Sequence, residues 1–283
     1  DGRNAGKVEY IHGGVSRNVV EDIANMELRP TFLSIVDESA LGDAVVRKLN
    51  NHKVNTEYIQ SAPNGMGTWL AVFDNNGDLA GSISQRPDLM PLLDVLEKKG
   101  DEIFANADSI IIEVDVDKEI VKKVVELCEK HQKKLYGVVS NMSIAVERRD
   151  FLQKFDCFIC NQLEAGMFFA DDFSETAPKE LAEILAKKLQ LAKIPSMVVT
   201  MGGAGSVYAD MKGKKGFCPA KKVQVKDTTG AGDAFCAGVS SGLTYGKTLA
   251  ESVEIGTRLA ASVITSSENV CPRFLPGELG IEA

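Results

Sequence analysis

The feature that most constrains the fold of this sequence is a regular alternation between short apolar runs and amphipathic segments. The apolar runs, rich in Val, Ile and Phe, predict strands at residues 30–36, 109–113, 134–139, 157–160 and 196–200. Continuous runs of this length are typical of parallel strands that are covered on both faces. The amphipathic segments predict helices at 16–28, 40–52, 118–132 and 178–192. The alternation therefore predicts an α/β fold with a doubly wound, mostly parallel sheet flanked by helices, which binds ligands at the carboxyl ends of its strands.

Two stretches depart from this alternation. Residues 7–11 and 68–84 alternate polar and apolar side chains, and residues 74–77 (DNNG) have the composition of a hairpin turn. We expect residues 1–11 and 67–85 to form a small β lid with Trp69 in its core, and residues 12–66 and 86–283 to form the α/β core. A hairpin that extends the edge of the main sheet is an open alternative.

The acidic composition narrows the classes of partner. The 283 residues are 44% hydrophobic and 25% charged, with a net charge of -8 and a pI of about 5.1. Nucleic acids and anionic membranes are bound through basic patches, so neither is predicted as a partner. No apolar run approaches the roughly 20 residues that a membrane-spanning helix needs. An anionic small molecule held by backbone amides remains compatible with this composition.

The cysteines indicate a reduced, cytoplasmic protein. Cys157 and Cys160 have the CxxC spacing, but they lie in a predicted strand, where a separation of three residues points the two thiols to opposite faces. We expect no metal or redox role for them. The remaining four are also expected to be reduced and to lie in apolar or helical stretches: Cys128, Cys218, Cys236 and Cys271.

The strongest chemical signal is the segment DTTGAGD at 227–233, which leads directly into a predicted helix. Gly230, Ala231 and Gly232 leave the backbone unobstructed, so consecutive N–H groups at a helix N-terminus can converge on an anion. In the first turn of that helix, the carboxylate of Asp233 can accept a proton from a hydroxyl that attacks phosphorus. A plain capping turn needs one cap residue, not two acids that bracket a Gly-Ala-Gly loop. The segment therefore predicts phosphoryl transfer.

The stretch DTTGAGDAFCAG at 227–238 resembles the second signature of the ribokinase-like (PfkB) carbohydrate kinases. This resemblance implies the ribokinase-like fold and transfer of the γ-phosphoryl group of ATP to a sugar hydroxyl. It implies that the 230–232 loop is the anion hole and that Asp233 is the catalytic base. It also implies a monovalent cation, K⁺, near Asp227 and Thr229.

Two features are predicted to bind the sugar. Gly13, Gly14 and Asn18 resemble the family's segment GGxxxN, in which two glycines allow close approach of the backbone and Asn18 offers donors and an acceptor. Asp115 is the middle one of the three alternating acids Glu113, Asp115 and Asp117 at the end of a predicted strand. It falls nearest to the position from which a polar residue of the family reaches the sugar. A solvated strand exit with helix-capping acids is the open alternative.

Two further motifs are predicted to bind the nucleotide. Asn161 and Glu164 resemble the family's NxxE element, which implies that Asn161 faces the phosphates and that Glu164 holds Mg²⁺ through water. Thr200, Gly202 and Gly205 follow an apolar strand and resemble the family's nucleotide-binding turn. Taken alone, Glu164 would be a first-turn helix acid and the turn would only end a strand.

The N-terminal residues narrow the resemblance. Residues 4–10 (NAGKVEY) and 13–18 (GGVSRN) look most like the pseudouridine kinases, although Ala5 and Ser16 depart from that branch's Pro and Gly. We therefore expect pseudouridine to be converted to pseudouridine 5′-phosphate. The alternatives are a ribokinase, another nucleoside or ketosugar kinase, and a non-catalytic nucleoside-binding relative.

The family's first strand ends in a sugar-binding Asp and has no counterpart in this sequence. We expect the natural protein to begin before Asp1. An exposed sheet edge on the lid is also expected to pair with a second copy, which would give a homodimer.

Overall fold

The computed structural model describes residues 6–74 and 79–282. Its strands are β1 (Ser34–Val36), β2 (Ile59–Ser61), β3 (Thr68–Phe73), β4 (Leu79–Gln85), β5 (Ser109–Glu113), β6 (Lys134–Val138), β7 (Cys157–Asn161), β8 (Ser196–Thr200), β9 (Ser206–Asp210) and β10 (Lys215–Cys218). Its helices are α1 (Val15–Asn25), α2 (Ala40–Asn51), α3 (Pro91–Asn106), α4 (Lys118–His131), α5 (Met142–Ala145), α6 (Arg149–Leu152), α7 (Gln162–Phe169), α8 (Pro178–Ala192), α9 (Ala231–Thr244) and α10 (Leu249–Ile264).

The centre of the fold is a six-stranded sheet in the order β10-β9-β8-β7-β6-β5. Strands β5 to β8 are parallel, and β9 and β10 are antiparallel at one edge. The predicted mostly parallel α/β sheet is therefore confirmed. The carboxyl ends of its parallel strands lie on one side of the sheet, where Asn161 of β7 pairs with Thr200 of β8.

Helices cover both faces of this sheet with separate apolar clusters. Cys160 belongs to the cluster under α3, α4 and α8, whereas Cys157 belongs to the cluster under α1, α9 and α10. The two thiols thus lie on opposite faces, as their spacing predicts, and all six cysteines are free. The helices α9 and α10 approach closely at Gly238, which has no side chain. A Cβ there would lie only 2.7 Å from the Cα of Gly256.

Three predictions about local structure are wrong. The predicted strand at 30–36 is reduced to β1, which pairs with β2 in a separate parallel sheet and not with the six-stranded sheet. Residues 7–11 form no strand, and Val8 and Tyr10 are exposed there. Trp69 is 61% exposed and is not in a core.

The hairpin β3–β4 forms a two-stranded sheet of its own and does not extend the main sheet. Its register places Leu70 opposite Ile83, and both side chains are more than half exposed. Most of the predicted turn at 74–77, and residues 1–5 of the predicted lid, lie outside the described residues. No helix in the described part of the chain has the length and apolar character that crossing a membrane requires.

Candidate active site

The helix α9 begins at a turn that only glycine can form. Gly230 has φ 80°, and a Cβ at this position would lie 1.9 Å from the carbonyl oxygen of Asn269. By contrast, a Cβ at Gly232 would meet nothing within 4 Å, so the outer side of the turn is open. The first amides of an α-helix have no partner within the helix. The Ala231 amide donates to the Thr228 carbonyl oxygen at 3.2 Å, so it is the other amides of this turn that can face an anion, and the role of residues 230–232 as an anion hole stays a prediction.

Two predicted site residues from distant parts of the chain meet at this turn. The amide Nδ2 of Asn18, on α1, donates a 2.6 Å hydrogen bond to the Oδ2 of Asp233. Asn18 is 5% exposed, because α1 packs against α9. The substrate segment and the predicted base thus belong to one site.

Burial and a neighbouring acid raise the pKa of Asp233. Burial is the largest cause and, together with the charge on Glu113, raises this pKa from 3.8 to about 6, against the opposing hydrogen bond from Asn18 and the charge of Arg17. Glu113 is the last residue of β5, and its Oε2 accepts a 2.7 Å hydrogen bond from the hydroxyl of Ser16. A carboxyl group with a pKa near 6 is ionised at neutral pH yet remains a useful proton acceptor.

Asp115 occupies a different place from Glu113. Its side chain is buried and accepts hydrogen bonds from the Ser140 amide (2.9 Å), the Ser140 hydroxyl (2.7 Å) and Arg86 Nη2 (3.0 Å). Arg86 directly follows the hairpin β3–β4, so Asp115 ties the base of that hairpin to the sheet. Of the three alternating acids, it is Glu113 whose charge acts on Asp233.

The glycine pair forms the N-terminal cap of α1. Gly14 has φ 97°, and its carbonyl oxygen accepts from the amide of Asn18 at 2.9 Å. A Cβ at Gly13 would meet nothing within 4 Å, so its backbone borders open space. The Gly13 carbonyl oxygen accepts from Arg17 Nε at 3.2 Å. Gly13 and Gly14 thus lie one helical turn from the Asn18–Asp233 contact.

Three of the four predicted nucleotide residues line one cavity. Asn161, Thr200 and Gly202 border an open cavity of about 920 Å³ beside the carboxyl ends of β7 and β8. Asp171 and Asp172 also border this cavity, and their pKa values are lowered first by hydrogen bonds from Lys188 and from the Ser174 backbone, respectively. The cavity is therefore bordered by two carboxylates, of which that of Asp171 pairs with Lys188, as well as by the three predicted residues.

Gly205 does not border this cavity. It has φ 105°, and a Cβ there would lie 2.2 Å from the carbonyl oxygen of Cys218. Its own carbonyl oxygen accepts from the Met201 amide at 2.8 Å, which closes the turn after β8. In this structure Gly205 therefore maintains the conformation of the turn and does not border the cavity.

Asn161 and Glu164 form a reciprocal cap on α7. The Asn161 side chain accepts from the Glu164 amide at 2.9 Å, and Glu164 Oε2 accepts from the Asn161 amide at 2.7 Å. Burial, followed by the charge of Asp115, raises the pKa of Glu164. Among the described residues no group of three or more His, Cys, Asp or Glu side chains could hold a metal ion.

Asp227 and Thr229, which are predicted to bind a monovalent cation, lie just before the turn at 230–232, called the anion turn below. Asp227 Oδ1 accepts from the Thr229 amide at 2.8 Å, and this hydrogen bond lowers the pKa of Asp227. The carboxylate is therefore ionised at the surface of the loop that ends at Gly230.

The sequence contains no indication of two buried polar residues that contact Asn18, the partner of the predicted catalytic base Asp233. Arg17 and Asn269 are both buried, and both contact the side chain of Asn18. Arg17 stands four residues before Glu21 on a predicted amphipathic helix, a spacing that usually marks an exposed ion pair. Asn269 lies in a short polar segment with no motif. Neither signal indicates burial.

The structure thus places a buried carboxyl group and the start of α9 near the carboxyl ends of the parallel strands, where the open cavity also lies. This arrangement can deprotonate a hydroxyl beside a bound anion. The model of the pfkB family carbohydrate kinases matches residues 1–271. The chain is 34% identical over 271 residues to the guanosine-inosine kinase of Exiguobacterium acetylicum, covering 95% of this chain and 88% of that protein.

Two other similarities fit the same family. The chain is 25% identical over 251 residues to the pseudouridine kinase of Escherichia coli (strain K12), covering 88% of this chain and 79% of that protein. Its fold superposes with a TM-score of 0.84 and 19% identity on Arabidopsis thaliana ribokinase complexed with ribose and ATP, covering 99% of this chain and 90% of that chain. The chain is a phosphotransferase with an alcohol group as acceptor, and it belongs to the pfkB family of carbohydrate kinases.

Proposed function

We propose that this chain is an ATP-dependent nucleoside kinase that phosphorylates the primary hydroxyl of a purine ribonucleoside, with guanosine and inosine as its substrates. The observation that carries the reaction is the Asn18–Asp233 hydrogen bond at the start of α9. The choice of nucleoside rests on similarity, since the guanosine-inosine kinase is 34% identical to this chain and the pseudouridine kinase is 25% identical.

In this proposal Asp233 accepts the proton of the attacking hydroxyl. Its environment raises its pKa to about 6, so it is largely ionised at neutral pH. The backbone amides of the 230–233 turn stabilise the charge that develops on the transferred group. Gly13, Gly14 and Asn18 would hold the ribose, and Asp115, through its hydrogen bond from Arg86, would anchor the hairpin β3–β4 as a lid.

The nucleotide is proposed to lie with its phosphates near Asn161, Thr200 and Gly202. These three residues border the open cavity at the carboxyl ends of β7 and β8, which supports this placement. Gly205 would act through the shape of the turn. When Mg²⁺ is bound, it neutralises phosphate charge, and Glu164 would hold it through water.

A monovalent cation is proposed beside the anion turn. The ionised carboxylate of Asp227 and the backbone of Thr229 supply the oxygen atoms that K⁺ prefers. Bound there, the cation would hold the loop that precedes Gly230 in place.

Pseudouridine is the second candidate substrate. It is favoured by the segment GGVSRN at 13–18 after residues 4–10, which look like that branch of the family. A ribokinase or a ketosugar kinase has weaker support, since the ribokinase of Lactococcus lactis, for example, is 24% identical to this chain over 265 residues. The intact Asn18–Asp233 pair disfavours a non-catalytic relative.

A homodimer through the hairpin is also proposed. Leu70, Val72 and Ile83 lie on one face of β3–β4 and are 55%, 55% and 68% exposed, which leaves an apolar patch on a separate two-stranded sheet. Apolar faces and free edges of this kind suit a second copy of the same chain.

The test of the proposed function is ADP release from MgATP with guanosine, inosine, adenosine, pseudouridine, ribose and fructose as separate acceptors. We expect the highest kcat/KM with guanosine and inosine. Preference for pseudouridine would keep the chemistry and replace the substrate. A protein that binds ATP but turns over none of the nucleosides would overturn the proposal.

A further inference from the structure

A buried arginine lies directly behind the residue that contacts the base. Arg17 is 6% exposed, and its Nη2 donates to the His12 carbonyl oxygen at 2.6 Å. Its Nε donates to the Gly13 carbonyl oxygen at 3.2 Å, and its guanidinium also contacts the side chains of Asn18 and Glu21. Most of these contacts thus converge on the segment that carries the predicted sugar-binding residues.

The contacts of Asn18 fix the orientation of its amide. An arginine has only donors, so the Asn18 atom that faces Arg17 must be the acceptor, Oδ1. Asn269 Nδ2 also donates to Asn18 Oδ1, at 3.3 Å, and to the His12 carbonyl oxygen, at 2.8 Å. With Oδ1 held by two donors, the Nδ2 of Asn18 is left to face Asp233.

This orientation decides which form of Asp233 is favoured. A donor stabilises an ionised carboxylate, and Nδ2 donates to Asp233 at 2.6 Å. If the amide were reversed, Oδ1 would face the carboxylate, and only a protonated Asp233 could form a hydrogen bond with it. A protonated Asp233 cannot accept the proton of the attacking hydroxyl.

We propose that Arg17 is a positioning residue that, with Asn269, holds the Asn18 amide with its donor toward Asp233 and so keeps the base ready to accept a proton. This inference rests on the proposed role of Asp233. The Arg17 guanidinium contacts the Asn18 side chain and the carbonyl oxygens of His12 and Gly13, so it positions that amide, and its charge also lowers the pKa of Asp233 directly.

A purely structural role for Arg17 would be to neutralise the buried Glu21. Glu21 has another cation, however, because Lys48 Nζ lies 3.1 Å from its Oε1. The two roles can therefore be separated. Glu21→Gln removes the buried charge and leaves Arg17 on Asn18, whereas Arg17→Met combined with Glu21→Gln removes the donors without leaving an unpaired carboxylate.

The experiment compares Glu21→Gln with the double variant Arg17→Met/Glu21→Gln in kcat/KM from pH 5 to 9, with Arg17→Lys as the conservative variant. We expect the double variant to lose roughly 10²-fold in kcat/KM, the typical effect of misplacing a reacting group by about 1 Å. Its acid limb should move to higher pH than that of Glu21→Gln, because both the oriented donor and the Arg17 charge are lost, and the loss in kcat/KM should persist on the plateau above the limb, where loss of the charge alone would leave the rate unchanged. Arg17→Lys keeps a donor and should restore the limb and part of the rate.

A folded double variant with the acid limb and kcat/KM of Glu21→Gln would overturn the proposal. Asp233→Asn, measured alongside, distinguishes two kinds of failure. If Asp233→Asn is impaired and the double variant is not, Arg17 has no positioning role while the base assignment stands. If Asp233→Asn turns over normally, the base assignment fails and this inference fails with it.

Discussion

Replacing Glu113 by Gln should move the acid limb of the pH–rate profile to lower pH. Burial is the main cause of the raised pKa of Asp233, and the charge of Glu113 adds to it. Gln removes that charge but keeps an oxygen for the Ser16 hydroxyl, which now donates at 2.7 Å. The substitution therefore changes the electrostatics of the base with little change in packing.

The size of the effect follows from the two limiting pKa values. With a pKa of about 6, Asp233 is ~10% ionised at pH 5, so wild-type kcat/KM at pH 5 should be about tenfold below that at pH 8. With the ordinary value of 3.8, the same group would be ~94% ionised at pH 5. The loss for Glu113→Gln should fall between these two limits and below the wild-type loss.

The assay is ADP release at saturating MgATP from pH 5 to 9, with the nucleoside varied. Glu113→Asp is the matched control, because it keeps the charge and should keep the wild-type limb. Titration of ATP itself is common to all three proteins and cancels in the comparison. A limb that stays in place or moves to higher pH in Glu113→Gln would refute the electrostatic account of Asp233.

Four further predictions address other parts of the account. Gly230→Ala should lower kcat by roughly 10²-fold in steady-state kinetics, since an added Cβ forces the anion turn away from Asn269. Burial is the main cause that raises the pKa of Asp22 to about 8. The contribution of Asp22 to the free energy of folding is therefore most favourable below pH 3.8 and is lost as the pH rises through 8. Asp22→Asn should therefore raise Tm at pH 9 more than at pH 6. Glu164→Gln should raise the Mg²⁺ concentration needed for half-maximal rate, and an unchanged Mg²⁺ titration would count against its role. Ile83→Lys should convert dimers to monomers in light scattering, and a wild-type monomer would remove the proposed dimer.

Continuous apolar runs made the parallel strands predictable. The prediction for β5 and β8 matches the structure at both ends, and those for β6 and β7 differ by one residue at one end. The strands β9 and β10 were not among the predicted strands, because they are only five and four residues long and β10 includes Lys215 and Gly216. Burial on both faces leaves a continuous apolar run in the sequence, as in β7 and β8, whereas the short strand β10 has no buried residue and leaves no such run.

The candidate site was predictable only as far as its motifs reached. The turn at 230–232 and Asp233 are local in sequence, and their chemistry can be worked out from the residues themselves. The Asn18–Asp233 contact joins residues 215 positions apart, so only the packing of α1 on α9 reveals it. The same packing brings the charge of Glu113, rather than that of Asp115, to bear on Asp233. Alternation alone places both acids on one face and cannot choose between them.

The most direct test of the central claim is the product formed from guanosine and MgATP by the wild-type protein and by Asp233→Asn. We expect wild-type protein to form guanosine 5′-phosphate and ADP in equal amounts. Asp233→Asn should bind ATP normally, but its kcat should fall by roughly 10²-fold or more, as the loss of a general base requires. Equal rates for the two proteins, or ADP without a phosphorylated nucleoside, would contradict the account.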